Sequence, residues 1–173
     1  ELAEKFTLGG LEVDGMERLG EELSGLVVGE VITCGKLEGS DHLNKTTVNV
    51  GEETLSIICG APNVEAGQKV VVAKVGAVLP GDFEIKEAKI MGEKSYGMIT
   101  SLDELGFSDS IIPKYAEDGI FVLADDAEVG ADARPYLGLD DTIIEFDLTP
   151  NRADALSMRG VAYEAGAVLN QTP

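Results

Sequence analysis

The sequence predicts a β-rich, α+β protein in which a small closed barrel sits between two end pieces of a helix-containing unit. Three observations carry this. Runs rich in Val, Ile and Thr recur between residues 26 and 123, separated by Gly-bearing turns about every 8–15 residues. A helix–strand pattern opens the chain and a strand–helix pattern closes it. No period of about 20–50 residues repeats, which sets aside solenoids and propellers. The expected organisation is residues 1–25 as the first piece of the α+β unit, 26–134 as the barrel and 135–173 as the returning piece.

Each element has a local reason. Glu1 to Phe6 reads as the end of a helix closed by Gly9-Gly10, and Leu11-Glu12-Val13 as a short strand, with Gly15 and Gly20 punctuating the stretch after it. Leu26 to Cys34 is rich in Val and Ile. Lys45 to Val50 alternates, with Thr46, Val48 and Val50 on one face, and Thr54 to Cys59 is its partner across a Gly51-Glu52-Glu53 turn. Lys69 to Ala73 is a nearly continuous β-branched run. Phe83 to Met91 alternates with Phe83 and Ile85 inward, and Tyr96 to Ile99 and Gly119 to Leu123 are short strands. Ser101 to Leu105 is a short helix candidate, with Ser101 as N-cap and Glu104 three residues on. Asp141 to Leu148 supplies a last strand and Pro150 to Asp154 a loop. From an N-cap at Ser157, Val161, Ala162, Ala165, Val168 and Leu169 fall at helical spacing.

Composition limits the function classes. The chain has 173 residues, 44% hydrophobic and 26% charged, enough for a buried core without disulfide or metal support. Thirteen Lys and Arg against 32 Asp and Glu leave a formal charge of −19. That balance opposes a protein that grips DNA or any nucleic acid chiefly by neutralising phosphates, and opposes docking on an anionic membrane. No apolar run approaches the ~20 residues of a membrane span, and no basic-then-apolar leader opens the chain. Cys34 and Cys59 stand in apolar stretches without metal-ligand spacing, as small buried residues of a reducing cytoplasm do. The first residue is Glu1 and the chain stops at Pro173 just after a helical pattern, which reads as a piece of a longer protein.

Few constellations carry chemistry. His42 is the one histidine and no GxSxG elbow accompanies it, so a Ser-His-Asp site has no support. Leu37 to His42 reads as a solvated turn whose Ser and Asp bond local backbone. The carboxylate pairs Asp103-Glu104, Asp125-Asp126 and Asp140-Asp141 read as solvated surface, and no phosphate-cradling Gly motif is present. Lys86, Lys89 and Lys94 with Tyr96 beside them combine cations for phosphates with an aromatic face for a base. Glu84, Glu87 and Glu93 are interleaved, so a neutral strand face competes with that reading. Nine Lys and Arg stand against nineteen Asp and Glu from Val27 to Arg134, so any RNA contact here must rely on a local patch, on shape or on cations from a larger assembly.

Longer motifs add a resemblance. Ile57-Ile58-Cys59-Gly60-Ala61-Pro62-Asn63-Val64 followed by Ala66-Gly67-Gln68-Lys69-Val70 resembles the signature of the tRNA-binding OB-fold domain of several aminoacyl-tRNA synthetases and stand-alone tRNA-binding proteins. Gly76 to Gly81, Ile85 to Gly92, Ser95 to Ile99, Ser101 to Gly106, and Asp118-Gly119-Ile120 through Val129-Gly130 come in the family's order. Glu1 to Lys5 with Gly10 to Gly15, and Thr149 to Ser157 with Gly160-Val161-Ala162, resemble the segments around that barrel in the bacterial phenylalanyl-tRNA synthetase beta subunit family. One departure stands out. Where the family carries a Pro-x-Ala-Asp-Lys-Leu-type loop, this chain has Gly39-Ser40-Asp41-His42-Leu43-Asn44, keeping only the Asp and Leu.

The resemblance implies an OB-fold barrel and a non-catalytic accessory module, without a cofactor of its own, that contributes to tRNA binding in the cytoplasm. The RNA contacts it implies are Lys86, Lys89 and Lys94, with Ser95 and Asn63 as polar neighbours. The family enzyme attaches phenylalanine to its tRNA with ATP and magnesium, pairs with an alpha subunit in an α2β2 assembly, and keeps aminoacylation and editing outside the segments matched here. The competing expectation is an architectural domain that packs against other beta-subunit domains. Asn151, Arg152 and Asp154 are expected to be structural, the Arg bridging local carboxylates.

Overall fold

The computed structural model describes residues 1–173 and falls into two units, Glu1–Leu19 with Asp140–Pro173, and Gly20–Leu139. In chain order the elements are helix α1 (Leu2–Leu8) and strands β1 (Glu12–Arg18), β2 (Ser24–Lys36), β3 (Asn44–Asn49), β4 (Thr54–Cys59) and β5 (Lys69–Leu79). They continue with β6 (Phe83–Glu84), β7 (Ala88–Ile90), β8 (Glu93–Ser95), β9 (Met98–Ile99) and β10 (Val122–Leu123), then β11 (Thr142–Asp147) and helix α2 (Met158–Leu169). No helix is long and apolar enough to cross a membrane.

In the larger unit a curled seven-stranded sheet runs β10-β5-β2-β3-β4, with β6 and β9 also pairing with β5. The β-branched run explains why β5 is central. Val70 and Val72 point into one apolar cluster with Val31, Val48, Ile57 and Ile99. Val71 and Ala73, alternating to the other face, join a second with Leu26, Val28, Leu79, Ile85 and Leu123. A strand buried on both faces has no polar side to alternate with, hence the continuous apolar run. β3 is one-sided as expected: Thr46, Val48 and Val50 are buried and Lys45 is exposed. The β3–β4 hairpin closes at Gly51, whose φ of +93° suits the turn, while Asn49 Oδ1 accepts from its N–H at 3.0 Å.

The sheet forms a half-barrel, and no strand ladder closes it. The return runs through the segment after β8. Tyr96 N–H donates to the Ser56 carbonyl at 2.9 Å, Ser95 Oγ accepts from Ile58 N–H at 3.0 Å, and β9 then pairs with β5.

Two local expectations are corrected. Phe83 is 58% exposed although Ile85 is buried. Strand pairing stops at Glu84, so the alternation expected through Met91 breaks and resumes only in the separate β7–β8 hairpin. Ser101 to Leu105 makes turns and no helix. The capping box does form, with Ser101 N–H donating to Glu104 Oε2 at 2.7 Å and Glu104 N–H to Ser101 Oγ at 3.2 Å. The chain then reverses at Gly106, whose φ is +85°.

The smaller unit pairs β1 with β11 antiparallel over Phe6, Leu11 and Ala155, with Phe6 and Phe146 edge to face at 5.0 Å. Gly15 lies inside β1, where the register shifts between Val13 and Gly15. Ser157 caps α2 by accepting from Gly160 N–H at 3.1 Å. Arg152 donates to the Gly10 carbonyl at 3.0 Å and to Asp154 and Glu164 at 3.1 and 2.8 Å, which raises its own pKa, through Asp154 first, and lowers that of Asp154.

Candidate nucleic-acid interface

The β7–β8 hairpin presents two of the expected cations across from each other: Lys89 and Lys94 are register partners, and both are exposed. Lys94 Nζ lies 2.7 Å from Glu87 and 5.9 Å from the centre of the Tyr96 ring. The hydrogen bond it donates to Glu87 holds the Lys94 ammonium above the usual lysine range, so it stays charged throughout the neutral range. Lys86, just before the hairpin, is exposed and 3.6 Å from Glu84. Both of these bridges lie in solvent, where water and salt screen the attraction and leave little net stabilisation. A phosphate can therefore compete with these carboxylates for the lysines.

The two polar neighbours are placed differently. Ser95 is 2% exposed, and its hydroxyl is engaged twice, accepting from Ile58 N–H and donating to the Gly97 carbonyl at 3.1 Å. Asn63 clasps another segment: its Nδ2 donates to the Ile120 carbonyl at 2.9 Å and its Oδ1 accepts from Ile120 N–H at 3.0 Å. The fold therefore brings the lysines to the surface and turns these two polar groups to its own backbone.

Two clefts in this unit escape sequence reading. One, of about 360 Å³, is lined by Thr33, Cys34, Gly35, Lys36, Lys45 and Thr47 and carries two cations with no carboxylate in its wall. Lys45 Nζ meets Glu93 of β8 at 2.8 Å, which ties this cleft to the lysine hairpin. Its sequence signal is the alternation in β3, since placing Thr46 and Val48 inward sends Lys45 and Thr47 to the other face. The other cleft, of about 850 Å³, lies beside Ile58 to Ala61 and is rimmed by Asp103, Glu104, Asp109, Glu117 and Asp118. Leu37 to His42 forms a turn in which Ser40 Oγ accepts from His42 and Leu43 N–H at 3.3 and 3.1 Å, whereas of Asp41 the backbone carbonyl is used, accepting from Lys36 Nζ at 3.1 Å. Both cysteines are free thiols, and burial raises the pKa of Cys59.

A curled antiparallel sheet with a basic hairpin on its rim is the framework of an oligonucleotide-binding domain. The chain belongs to the tRNA-binding domain family: the family model described as "Putative tRNA binding domain" matches residues 26–132. Over 171 residues it is 56% identical to the phenylalanine–tRNA ligase beta subunit of Bacillus licheniformis, covering 98% of this chain and 21% of that protein. Over 172 residues it is 55% identical to the same subunit of Geobacillus kaustophilus, covering 99% of this chain and 21% of that one. The chain thus spans about one fifth of the length of the curated relatives it matches. Among solved structures, one titled a MetRS related protein from Pyrococcus horikoshii covers 61% of this chain and 85% of its own at a TM-score of 0.44 and 21% identity, too slight a likeness to bear on the fold.

Proposed function

We propose that this chain is a non-catalytic tRNA-binding accessory module of a phenylalanine–tRNA ligase beta subunit. The observation that supports it most is the tRNA-binding family match over the half-barrel, within a chain similar to that subunit over nearly its whole length. On this reading the half-barrel is an insertion between the two pieces of the α+β unit. Lys86, Lys89 and Lys94 meet tRNA phosphates with Tyr96 beside them, and Lys36 and Lys45 extend the cationic track. Such contacts position a backbone and read no sequence. Ser95 and Asn63 hold the platform from within. The whole protein charges phenylalanine-specific tRNA in the cytoplasm, with an alpha subunit as partner. Its ATP and magnesium chemistry belongs to residues outside this chain.

An architectural role is favoured by one specific observation: Lys86 and Lys94 each already face a glutamate, on a chain of formal charge −19. A fluorescence titration of the 173-residue chain with phenylalanine-specific tRNA, at low and near-physiological salt, separates the two. Saturable binding that weakens with salt, and is lost in Lys86→Glu/Lys89→Glu, is the expected result. Binding that survives reversal of both charges would remove Lys86 and Lys89 from the interface. Absence of binding even at low salt would leave the module a scaffold.

A further inference from the structure

The outer face of β2 and β3 carries polar groups that the lysine hairpin does not use. Thr33 and Thr47 are register partners, as are Gly35 and Lys45, so the four lie on one face of the ladder. With Cys34 and Lys36 they line the cleft of about 360 Å³, at the small end of the range for ligand sites. No carboxylate stands in its wall, although the chain holds 32 Asp and Glu. Threonines inside the sheet use their hydroxyls on the backbone: Thr46 donates to the Ile57 carbonyl at 2.8 Å and Thr100 to that of Val71 at 3.4 Å. Thr33 is exposed and Thr47 half-buried, and neither hydroxyl has a partner within the chain. Gly35 leaves the backbone open, since a Cβ there would meet nothing within 4 Å. Just before Thr33 the register shifts between Val31 and Thr33, and the extra residue, Ile32, is 49% exposed. Strict alternation would turn one of Ile32 and Thr33 inward. The bulge leaves both exposed beside a buried Val31, the kind of re-aiming that bulges provide next to functional sites.

We infer that this cleft seats one unpaired ribonucleotide of an RNA strand. The inference rests on the tRNA-binding reading and narrows it to a looped-out nucleotide held at β2 and β3. Each part of a ribonucleotide meets matching chemistry there. Lys36 and Lys45 supply cations for the phosphate. The hydroxyls of Thr33 and Thr47 both donate and accept, as does the ribose 2′-hydroxyl, which is the group that separates RNA from DNA. Ile32, one residue from the cleft wall, gives the base an apolar face. Lys45 Nζ now lies 2.8 Å from Glu93, and Lys36 Nζ donates to the Asp41 carbonyl at 3.1 Å. Both contacts are exposed, so a phosphate can displace them. A base inside a duplex is covered on both faces by its neighbours, so only an unstacked one can lie on Ile32.

The test is fluorescence anisotropy of the 173-residue chain with labelled hexauridylate and with its 2′-deoxy counterpart, at low salt. The ribose form should bind about fivefold tighter. Thr33→Val/Thr47→Val, which keeps side-chain shape and strand preference, should abolish that ratio and leave the deoxy affinity unchanged. Thr142→Val, at an exposed threonine of β11, should leave the ratio intact, and Lys36→Gln/Lys45→Gln should weaken both strands alike. Equal affinity for the two sugars, or a ratio that survives in Thr33→Val/Thr47→Val, would overturn the inference. Displacement of hexauridylate by an RNA duplex of about 16 base pairs as readily as by unlabelled hexauridylate would overturn it too, because paired bases cannot enter the cleft. In each of these cases, tRNA binding that is lost in Lys86→Glu/Lys89→Glu leaves the tRNA-binding reading standing. A chain that binds neither tRNA nor hexauridylate overturns both.

Discussion

Asn63 shows how a residue in a family-like motif can belong to the fold. It lies in the Gly60–Val64 turn, and both ends of its amide are used on Ile120, fifty-seven residues away. The Cβ of any residue at Gly119 would collide with that amide, so the turn and the loop fit only as a pair. Asn63→Ala leaves the Ile120 N–H and carbonyl without these partners, and a loss of about 1–3 kcal/mol is expected. Urea unfolding followed by far-UV circular dichroism measures it, and an unchanged midpoint would show that the clasp contributes nothing. Ser95 makes the same point from a buried position. The lysines were legible in the sequence as exposed charges. The partner of each neighbouring polar group was not, because Ile120 and Ile58 are brought to Asn63 and Ser95 only by the tertiary fold.

At the scale of elements, the strands with the clearest signals formed where they were expected. Val70 to Ala73 is apolar at every position because β5 has a core on each face, and Thr46, Val48 and Val50 alternate because β3 has one. Less legible were the segments whose pairing depends on distant chain. β6, β7, β8 and β9 are two or three residues each, and their partners decide where they stop. The device that lets β9 reach β5 is Gly97, with φ of +125° and a position where a Cβ would lie 2.7 Å from the Ala73 carbonyl oxygen. Gly97→Ala is therefore expected to cost about 1–3 kcal/mol. It should also speed amide exchange at Ile99 and Val72, the register partners beside it. Native exchange at both amides in that variant would mean that the strand pairing does not depend on this backbone conformation.

Charge acts at the scale of the whole molecule. A formal −19 over 173 residues destabilises the compact state through self-repulsion, which salt screens with a Debye length of about 10 Å at 0.1 M. The melting temperature should rise by several degrees between about 10 and 300 mM NaCl, while tRNA affinity falls over the same range. A melting temperature that falls with salt would show that attractive pairs outweigh the repulsion. The opposite signs of the two effects keep loss of RNA binding at high salt from being mistaken for unfolding. The two clefts differ in sign: Lys36 and Lys45 line the smaller one, and five carboxylates line the larger.

By itself the sequence determined that the chain is acidic and β-rich, that helices stand at its two ends, which strand faces are apolar, and that a lysine-bearing segment comes after β5. These depend on periodicity, turn chemistry and composition, which are local properties of the chain. Only the tertiary structure decided that the sheet curls into a half-barrel without a continuous closing ladder, that Ser95 and Asn63 serve the backbone, and that Lys36 and Lys45 share a cleft. It also decided that five carboxylates from separate turns rim one concavity. The reason is that each of these is a relation between residues distant along the chain, set by which strand edges and loops meet when the two apolar clusters are buried.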